Sequence, residues 1–446
     1  MSDPWKRRTA IALLLAGVFA LAVVVRVTYR TERAAAFDQI NPYQSFIAHR
    51  RAVRMLEGRG VLLWDDTDPR LIKQIRRPPG YAIFLAAIYV VTGPDLHVAQ
   101  AVQILLDALA AAGVAALALW LVSWRSAIVA GLLYALSPHL AVYATIVTPD
   151  AVASWPLLAG GAFFIAAHRR RDRWRLMLAG AGGIAIGASC WLTAQGMTLP
   201  FALSAVGVMV AVPGDRRRAA ATGAVLVLAA LAAILPLTIR NIAVYGVAVP
   251  IRPGLGVTLV EGLGVYDASF PATDGELLSD EAIRFGRPDY EDALYQPDGL
   301  AREQARISRA LDAIAARPFW FAGIMLDRMR LMLVYDPDGP PGWPDDTAYV
   351  GTTEQPVIRF VQHVVFRTWF VWILFVSGAT CLVLRGEWRT ALLLAVIPIH
   401  HVLLQSLLLT EYKYTLPVHA WLFVIAAATV ELTRGWRSAD PTSGSP

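Results

Sequence analysis

The sequence predicts an all-α polytopic membrane protein with about ten transmembrane helices, juxtamembrane helices in the first external loop and a small external cap. Of its 446 residues, 56% are hydrophobic and only 17% are charged, and the mean hydropathy is +0.50. The apolar residues fall in runs that can cross roughly 30 Å of hydrocarbon as helices. A soluble core of this size uses far less apolar surface.

The net charge of +6 does not indicate nucleic-acid binding, because most arginines stand in short clusters beside the apolar runs. Clusters of this kind set membrane orientation. Cys190 and Cys381 are the two cysteines, and each lies inside an apolar run without a cysteine or histidine at metal-ligand spacing. Neither a disulfide framework nor a zinc site is therefore predicted.

The first span is predicted over the apolar run 10–25, which follows Lys6-Arg7-Arg8. The run lacks a small-residue cleavage site with an acceptable flank, so we interpret it as an uncleaved span with a cytoplasmic N-terminus. Nine further spans are predicted at 97–122, 126–146, 151–167, 175–194, 197–212, 219–239, 361–384, 389–409 and 414–433.

The apolar segment 81–93 is too short to cross the membrane and is interpreted as re-entrant or interfacial. This interpretation decides which side of the membrane each later loop lies on. If segment 81–93 does not cross, all the basic clusters lie on the cytoplasmic side with Lys6-Arg7-Arg8. Those clusters are Arg125, 169–173, 216–218, Arg385 and Arg434.

The polar segments divide the chain further. A transmembrane module is predicted over 1–240, with a first external loop at 29–96, and an extracytoplasmic cap over 241–360. The cap contains an amphipathic helix at 300–316 and an apolar, aromatic stretch at 318–335 that suits an interfacial helix. C-terminal spans follow over 361–435, and the Ser/Pro/Gly-rich tail 436–446 is predicted to be disordered.

Several motifs occur in a recognisable order and on one predicted side of the membrane. They are an acid in the first loop, an Arg-Pro-Pro-Gly-Tyr stretch, a Thr-Pro-Asp triplet, a Pro-x-x-x-Arg-Asn stretch ending a span, and a Tyr-x-Tyr-x-x-Pro stretch opening the last one. Their positions are Asp38, 77–81, 148–150, 236–241 and 411–417, where Glu411 precedes the Tyr-x-Tyr-x-x-Pro stretch. With this set, residues 5–435 resemble the polyprenol-phosphate-sugar-dependent glycosyltransferases of the C superfamily. The protein mannosyltransferase-like branch, which includes lipid A aminoarabinose transferases, is the most similar.

The resemblance implies an inverting sugar transfer with a catalytic acid in the first external loop, for which Asp38 is the candidate. A carboxylate there takes the proton from the acceptor hydroxyl as it attacks the anomeric carbon. The alternative is that Asp38 caps a juxtamembrane helix. Asp150 is the second acid that the resemblance implies, either orienting the acceptor or holding a divalent cation such as Mg or Mn with Asp38. It is also a favourable first-turn residue of a helix.

Cations are needed beside the leaving phosphate, which departs with an added negative charge. Arg76 and Arg77 precede two prolines that stiffen the chain, and Arg240 and Lys413 lie at the outer ends of spans. For all four residues the alternative is snorkelling to lipid headgroups. Side chains predicted to line the substrate or lipid site are Tyr43, Tyr81, His139, Glu261 and Tyr414.

The predicted function is therefore glycosyl transfer from a polyprenyl-phosphate-linked sugar to a lipid, glycan or protein acceptor. The protein is predicted in the inner (plasma) membrane, with its active site on the extracytoplasmic side. One alternative is a transporter or lipid-linked sugar flippase, which should carry charged groups at midspan; Asp107 is the one midspan acid. The other is a glycan polymerase or ligase that uses diphosphate-linked donors.

Overall fold

The computed structural model describes residues 4–40, 43–60, 78–246, 248–272, 298–336 and 352–432. All regular secondary structure within these residues is helical, which confirms the predicted all-α class. Arg76, Arg77, Arg434 and the predicted disordered tail lie outside the described residues.

The first half of the chain carries the first external loop and the first set of long helices. Its helices are α1 (Pro4–Glu32), α2 (Phe37–Ile40), α3 (Tyr43–Leu56), α4 (Gly80–Thr92), α5 (Leu96–Leu121), α6 (Trp124–Leu136), α7 (Pro138–Thr145), α8 (Pro149–Arg169), α9 (Trp174–Ser189) and α10 (Leu199–Val210).

The second half contains the residues predicted as the cap, a name kept for 241–360, and the C-terminal spans. Its helices are α11 (Arg216–Tyr245), α12 (Leu255–Gly264), α13 (Asp298–Ala316), α14 (Pro318–Met332), α15 (Pro356–Val365), α16 (Thr368–Leu384), α17 (Trp388–Ser406) and α18 (Leu416–Ala427). The amphipathic helix predicted at 300–316 is present as α13.

By length and composition, six described helices can cross a membrane, or eight when each of two bent pairs counts as one span. The bent pairs are α6 with α7, at 51°, and α15 with α16, at 58°. These eight correspond to eight of the ten predicted spans. The other two, 175–194 and 197–212, are α9 and α10, which have only 16 and 12 residues. The short segment predicted at 81–93 is α4, with 13 residues.

Side-chain contacts fix the direction of the bundle. Arg26 pairs with Asp107, whereas Val18 and Ala115 both approach Gly131, so α1 and α5 run antiparallel and the N-terminus lies near the end of α5. The basic clusters meet at that same end. Arg171 Nη2 lies 2.9 Å from Asp215 Oδ2, and Arg169 Nη2 lies 2.8 Å from Thr390 Oγ1. Arg385 Nη1 lies 3.0 Å from Glu431 Oε2. The structure thus brings the described basic clusters to one end of the bundle, as the topology prediction requires.

The midspan acid is fully paired inside the bundle. Arg26 Nε donates to Asp107 Oδ2 at 2.7 Å, and Tyr134 Oη donates to Asp107 Oδ1 at 3.0 Å. Arg26 and Asp107 are both buried, at 0% and 4% exposed. The Asp107 carboxylate is already paired with Arg26, so this ion pair links α5 to α1. The pairing does not favour the transporter alternative.

The cap is tied to the transmembrane helices by a buried arginine of α14. Arg328 Nη1 donates to Ser406 O at 3.0 Å, and Arg328 Nη2 donates to the carbonyl of Gly262 on α12. Within the cap, Glu303 Oε1 accepts a 2.7 Å hydrogen bond from the N–H of Gly256 at the start of α12. The cap is thus fixed against the segment that follows α17.

A surface ion pair joins the segment after α12 to the turn between α13 and α14. Arg317 Nη2 lies 2.7 Å from Asp267 Oδ2. Hydrogen bonds from Ser269, together with the Arg317 guanidinium, lower the pKa of Asp267 to about 2. The Asp267 side chain therefore stays a carboxylate over the physiological pH range.

We predict that Arg26→Met destabilises the protein by about 3–5 kcal/mol, because it leaves the Asp107 carboxylate buried and unpaired. The double variant Arg26→Met/Asp107→Leu should recover most of that loss, since neither charge of this pair then remains inside the bundle. Denaturant titration of the protein in detergent micelles measures both. A double variant no more stable than the single one would contradict this role.

Candidate active site

Asp150 lies at the first turn of α8, at the end of the bundle opposite the basic clusters. The Thr148-Pro149-Asp150 triplet starts the helix as its composition predicts, with Pro149 in the first turn. Thr148 Oγ1 donates to Asp150 Oδ2 at 3.0 Å, and the Asp150 side chain is buried at 7% exposed. A carboxylate in such a setting needs cationic neighbours.

Those neighbours come from two other parts of the chain. The Asp150 carboxylate lies within electrostatic range of Lys413, Arg252 and Glu411. Lys413 is ion-paired with Glu411, and Tyr414 Oη donates to Glu411 Oε1 at 3.3 Å. The result is a charged cluster of two carboxylates and two cations, which we call the Asp150 cluster.

The Pro-x-x-x-Arg-Asn stretch that ends α11 helps to place Arg252. Asn241 Nδ2 donates to Val249 O and to Ile251 O, each at 2.8 Å, and Thr238 Oγ1 donates to Pro250 O at 3.0 Å. These contacts hold the loop carrying Arg252 against the end of α11. The Asn241 amide is therefore a positioning group for an arginine eleven residues later in the chain.

Tyr81 is held beside the same cluster by a backbone contact and by a glutamine of α5. Gly80 N donates to Trp191 O at 2.8 Å, and a Cβ at residue 80 would lie only 2.3 Å from that oxygen, so glycine is required there. Tyr81 Oη donates to Gln103 Oε1 at 3.1 Å, while Gln103 Nε2 donates to Ile146 O at 2.7 Å. Asp150 also lies within electrostatic range of Tyr81.

Asp38 lies at the same end of the bundle, on the short helix α2, and its side chain is exposed. The preceding residue, Phe37, is buried with its ring centroid 4.0 Å from that of His97. Phe37 belongs to one apolar cluster with Tyr81 and Val147, which flank the Asp150 cluster. No contact between the Asp38 and Asp150 side chains is found among the residues that the structure describes.

The other predicted residues have different positions. Arg240 is buried, and its Nη1 donates to Asn241 Oδ1 at 3.1 Å. His139 is buried in the bundle with its ring 5.2 Å from that of His419, which is the environment of a packed histidine. Glu261 is buried on α12 of the cap. Tyr43 begins α3, but its side chain lies outside the described residues, as do Arg76 and Arg77.

The candidate-site prediction did not include Arg252 and Glu411. Arg252 lies between Pro250 and Pro253 in the sequence. Arg76 and Arg77 were predicted because prolines follow them, and the same pattern could have identified Arg252. Glu411 belongs to the motif that contains Lys413, but as a single acid next to a lysine it also fits a surface ion pair.

Each carboxylate of the Asp150 cluster has cationic side chains of the protein near it. Within the described part of the chain, no three His, Cys, Asp or Glu side chains lie together as metal ligands. Asp150 already has two cationic side chains near it, and Glu411 is paired with Lys413. Positive charge beside these carboxylates is thus supplied by the protein's own side chains.

Comparison with solved structures identifies the fold. The chain is similar to the oligosaccharyltransferase from Archaeoglobus fulgidus in its apo form, with 13% identity, a TM-score of 0.55 and coverage of 97% of this chain and 52% of that chain. The archaeal oligosaccharyltransferase AglB from the same organism, in complex with an inhibitory peptide and a dolichol-phosphate, gives 12% identity, a TM-score of 0.53 and the same coverage of 97% and 52%. This chain therefore spans about half the length of the oligosaccharyltransferase that it matches.

ArnT from Cupriavidus metallidurans, bound to undecaprenyl phosphate, is similar at 15% identity over 98% of this chain and 81% of that chain, with a TM-score of 0.39. No protein-family model and no curated protein matches the sequence. The fold assignment rests on the oligosaccharyltransferase, because its TM-scores exceed 0.5. This chain shares the fold of the matched half of that protein.

We predict that Asn241→Leu loosens the loop at 248–252 without unfolding the bundle, because it removes the two hydrogen bonds to that loop, worth about 1 kcal/mol each. Hydrogen–deuterium exchange in micelles should show faster exchange in this loop. Thr198→Val, which removes a hydroxyl contact to His400 elsewhere, is the matched control. Unchanged exchange at 248–252 in the Asn241 variant would rule out the positioning role.

Proposed function

We propose that this chain is an integral membrane glycosyltransferase that moves a sugar from a polyprenyl-phosphate donor to a lipid, glycan or protein acceptor, with inversion at the anomeric carbon. The observation that supports this most directly is the Asp150 cluster, which lies at one end of a fold shared with an oligosaccharyltransferase. An acid and cations gathered at the membrane surface suit a reaction in which a hydroxyl loses a proton and a phosphate departs.

Charge balance indicates which further residues take part. The two carboxylates Asp150 and Glu411 cancel the two cations Lys413 and Arg252, so the cluster alone is neutral. The donor phosphodiester carries one negative charge, and the departing polyprenyl phosphate gains another. Additional cations are therefore needed, and Arg76 and Arg77 are our candidates. Arg77 is four residues before Tyr81 in the sequence.

The reaction needs one base and one anion-stabilising group. The acceptor hydroxyl oxygen bonds to the anomeric carbon, the bond between that carbon and the phosphate oxygen breaks, and the hydroxyl proton passes to the carboxylate of Asp38. Polyprenyl phosphate leaves with the bonding electrons, stabilised by the cationic side chains. Asp38 suits the base because its side chain is exposed, whereas Asp150 is buried and holds Arg252 and Lys413 in place.

The membrane supplies the donor in this proposal. A polyprenyl tail lies between helices in the hydrocarbon while its phosphate reaches the interface near Lys413. The site is at the end of the bundle opposite the arginine clusters, and the positive-inside rule therefore puts it on the extracytoplasmic side of the plasma membrane.

We predict that Asp38→Asn lowers kcat by about 10²–10⁴-fold, because the amide cannot accept the proton. The measurement is transfer from a polyprenyl-phosphate-linked sugar, with purified protein in micelles. Asp312→Asn, an exposed acid of the cap on α13, is the matched control and should retain full activity. Full activity of the Asp38 variant would remove it as the base.

We predict that Arg252→Ala raises KM for the donor by about 10–100-fold, since the Asp150 cluster then carries a net negative charge near the donor phosphate and like charges repel. Arg330→Ala, an exposed arginine of α14, serves as the control. Donor titration at fixed acceptor separates KM from kcat. An unchanged KM for Arg252→Ala would place the donor phosphate elsewhere.

A further inference from the structure

The opposite end of the bundle contains a cavity of about 470 Å³ that has no part in the proposed reaction. Three separate connections form it: the turn between α8 and α9, the turn between α10 and α11, and the start of α17. Its volume falls in the range of small-molecule sites, roughly 300–1,000 Å³. It is therefore a formed concavity and not a flat basic surface.

The cavity has a strong excess of positive charge. Six arginines line it, against the two carboxylates of Asp215 and Glu387. The six are Arg169, Arg170, Arg171, Arg175, Arg218 and Arg389. Several guanidinium groups around one concavity repel one another unless an anion lies between them.

Three of these six arginines are paired with nearby carboxylates. Arg171 Nη2 and Arg218 Nη1 share Asp215, at 2.9 and 3.2 Å. Arg170 binds Asp172 through two hydrogen bonds, at 2.6 and 3.0 Å. These three arginines can hold the walls of the cavity without a ligand.

Arg169 Nη2 donates to Thr390 Oγ1, whereas the other two arginines are different. Arg175 and Arg389 make no ion pair among the residues that the structure describes, and Arg175 Nε is buried without a hydrogen-bond partner. A buried N–H that lacks an acceptor costs free energy. An anion in the cavity would supply that acceptor and the missing charge.

Tryptophans put the cavity at the level of the lipid headgroups. Trp120, Trp174 and Trp388 are each between 42% and 47% exposed, as is typical of an interfacial belt. The Arg169 guanidinium lies over the Trp120 ring, and that of Arg389 lies over the Trp388 ring, each at 5.3 Å from the centroid. Apolar side chains such as Leu121, Val210 and Leu393 also line the cavity.

We propose that this cavity binds a phosphate ligand with at least two negative charges. Guanidinium groups recognise phosphate oxygens in pairs, which suits the arginine-lined walls. The ligand is either the headgroup of an anionic lipid in the adjoining leaflet or a soluble phosphate compound. This site is distinct from the Asp150 cluster and does not depend on the glycosyltransferase proposal.

The test compares thermal unfolding of the protein in phosphatidylcholine nanodiscs, with cardiolipin titrated into the discs in one arm and inorganic pyrophosphate added in the other. We expect stabilisation of the wild type in at least one arm. Arg175→Gln/Arg389→Gln should weaken the apparent affinity by at least about tenfold, because two charge-assisted hydrogen bonds are lost. Arg125→Gln removes an exposed arginine at the same end that does not line the cavity and should respond like the wild type.

The arms also distinguish the sources of the phosphate. A response to cardiolipin alone identifies a lipid headgroup, and a response to pyrophosphate identifies a soluble ligand. Equal responses of all three proteins, or no response of the wild type in either arm, would overturn the proposal. The single variant Arg389→Gln, whose side chain is exposed, replaces the double variant if that protein does not fold.

Discussion

The structure depends on the balance of charge around one buried carboxylate at the mouth of a helical bundle. Asp150 is 7% exposed, and its cationic neighbours come from the loop after α11 and from the segment before α18. Because a buried, unpaired charge is strongly destabilising, these distant parts of the chain must converge for the fold to form. The same requirement shapes the middle of the bundle, where Arg26 satisfies Asp107. Polar groups here link helices whose apolar faces alone would pack in several ways.

The described charges separate clearly between the two ends of the molecule. One end is an arginine-rich surface with a cavity and interfacial tryptophans. The other carries a neutral cluster, an exposed acid on a short helix and a cap held by Arg328. Identity to the oligosaccharyltransferase of the same fold is only 12–13%. Chemistry therefore has to be argued from the site.

Much of this organisation was predictable because membrane insertion imposes a simple physical pattern. The lengths of the apolar runs predicted eight of the spans. Because segment 81–93, which forms α4, is too short to cross the membrane, the sequence also predicted that the basic clusters lie at one end of the bundle. Asp150, Tyr81, Lys413 and Tyr414 were predicted from motifs, and the structure brings them together. Arg252 was not predicted, since it lies in an irregular loop without periodicity. The lengths of α9 and α10 were also missed, because the chain leaves the helix at 190–196 to make tertiary contacts that hydropathy does not report. The role of Asp38 stays a prediction.

The contact between Gly80 N and Trp191 O joins main chain to main chain. Because both partners are backbone groups, Trp191→Ala would not remove this hydrogen bond. Gly80→Ala would disturb it only because the added Cβ clashes with Trp191 O. The exit of the first loop and the turn after α9 are thus coupled whatever their side chains become. Substitutions of neighbouring side chains leave this backbone hydrogen bond in place, provided that residue 80 remains a glycine.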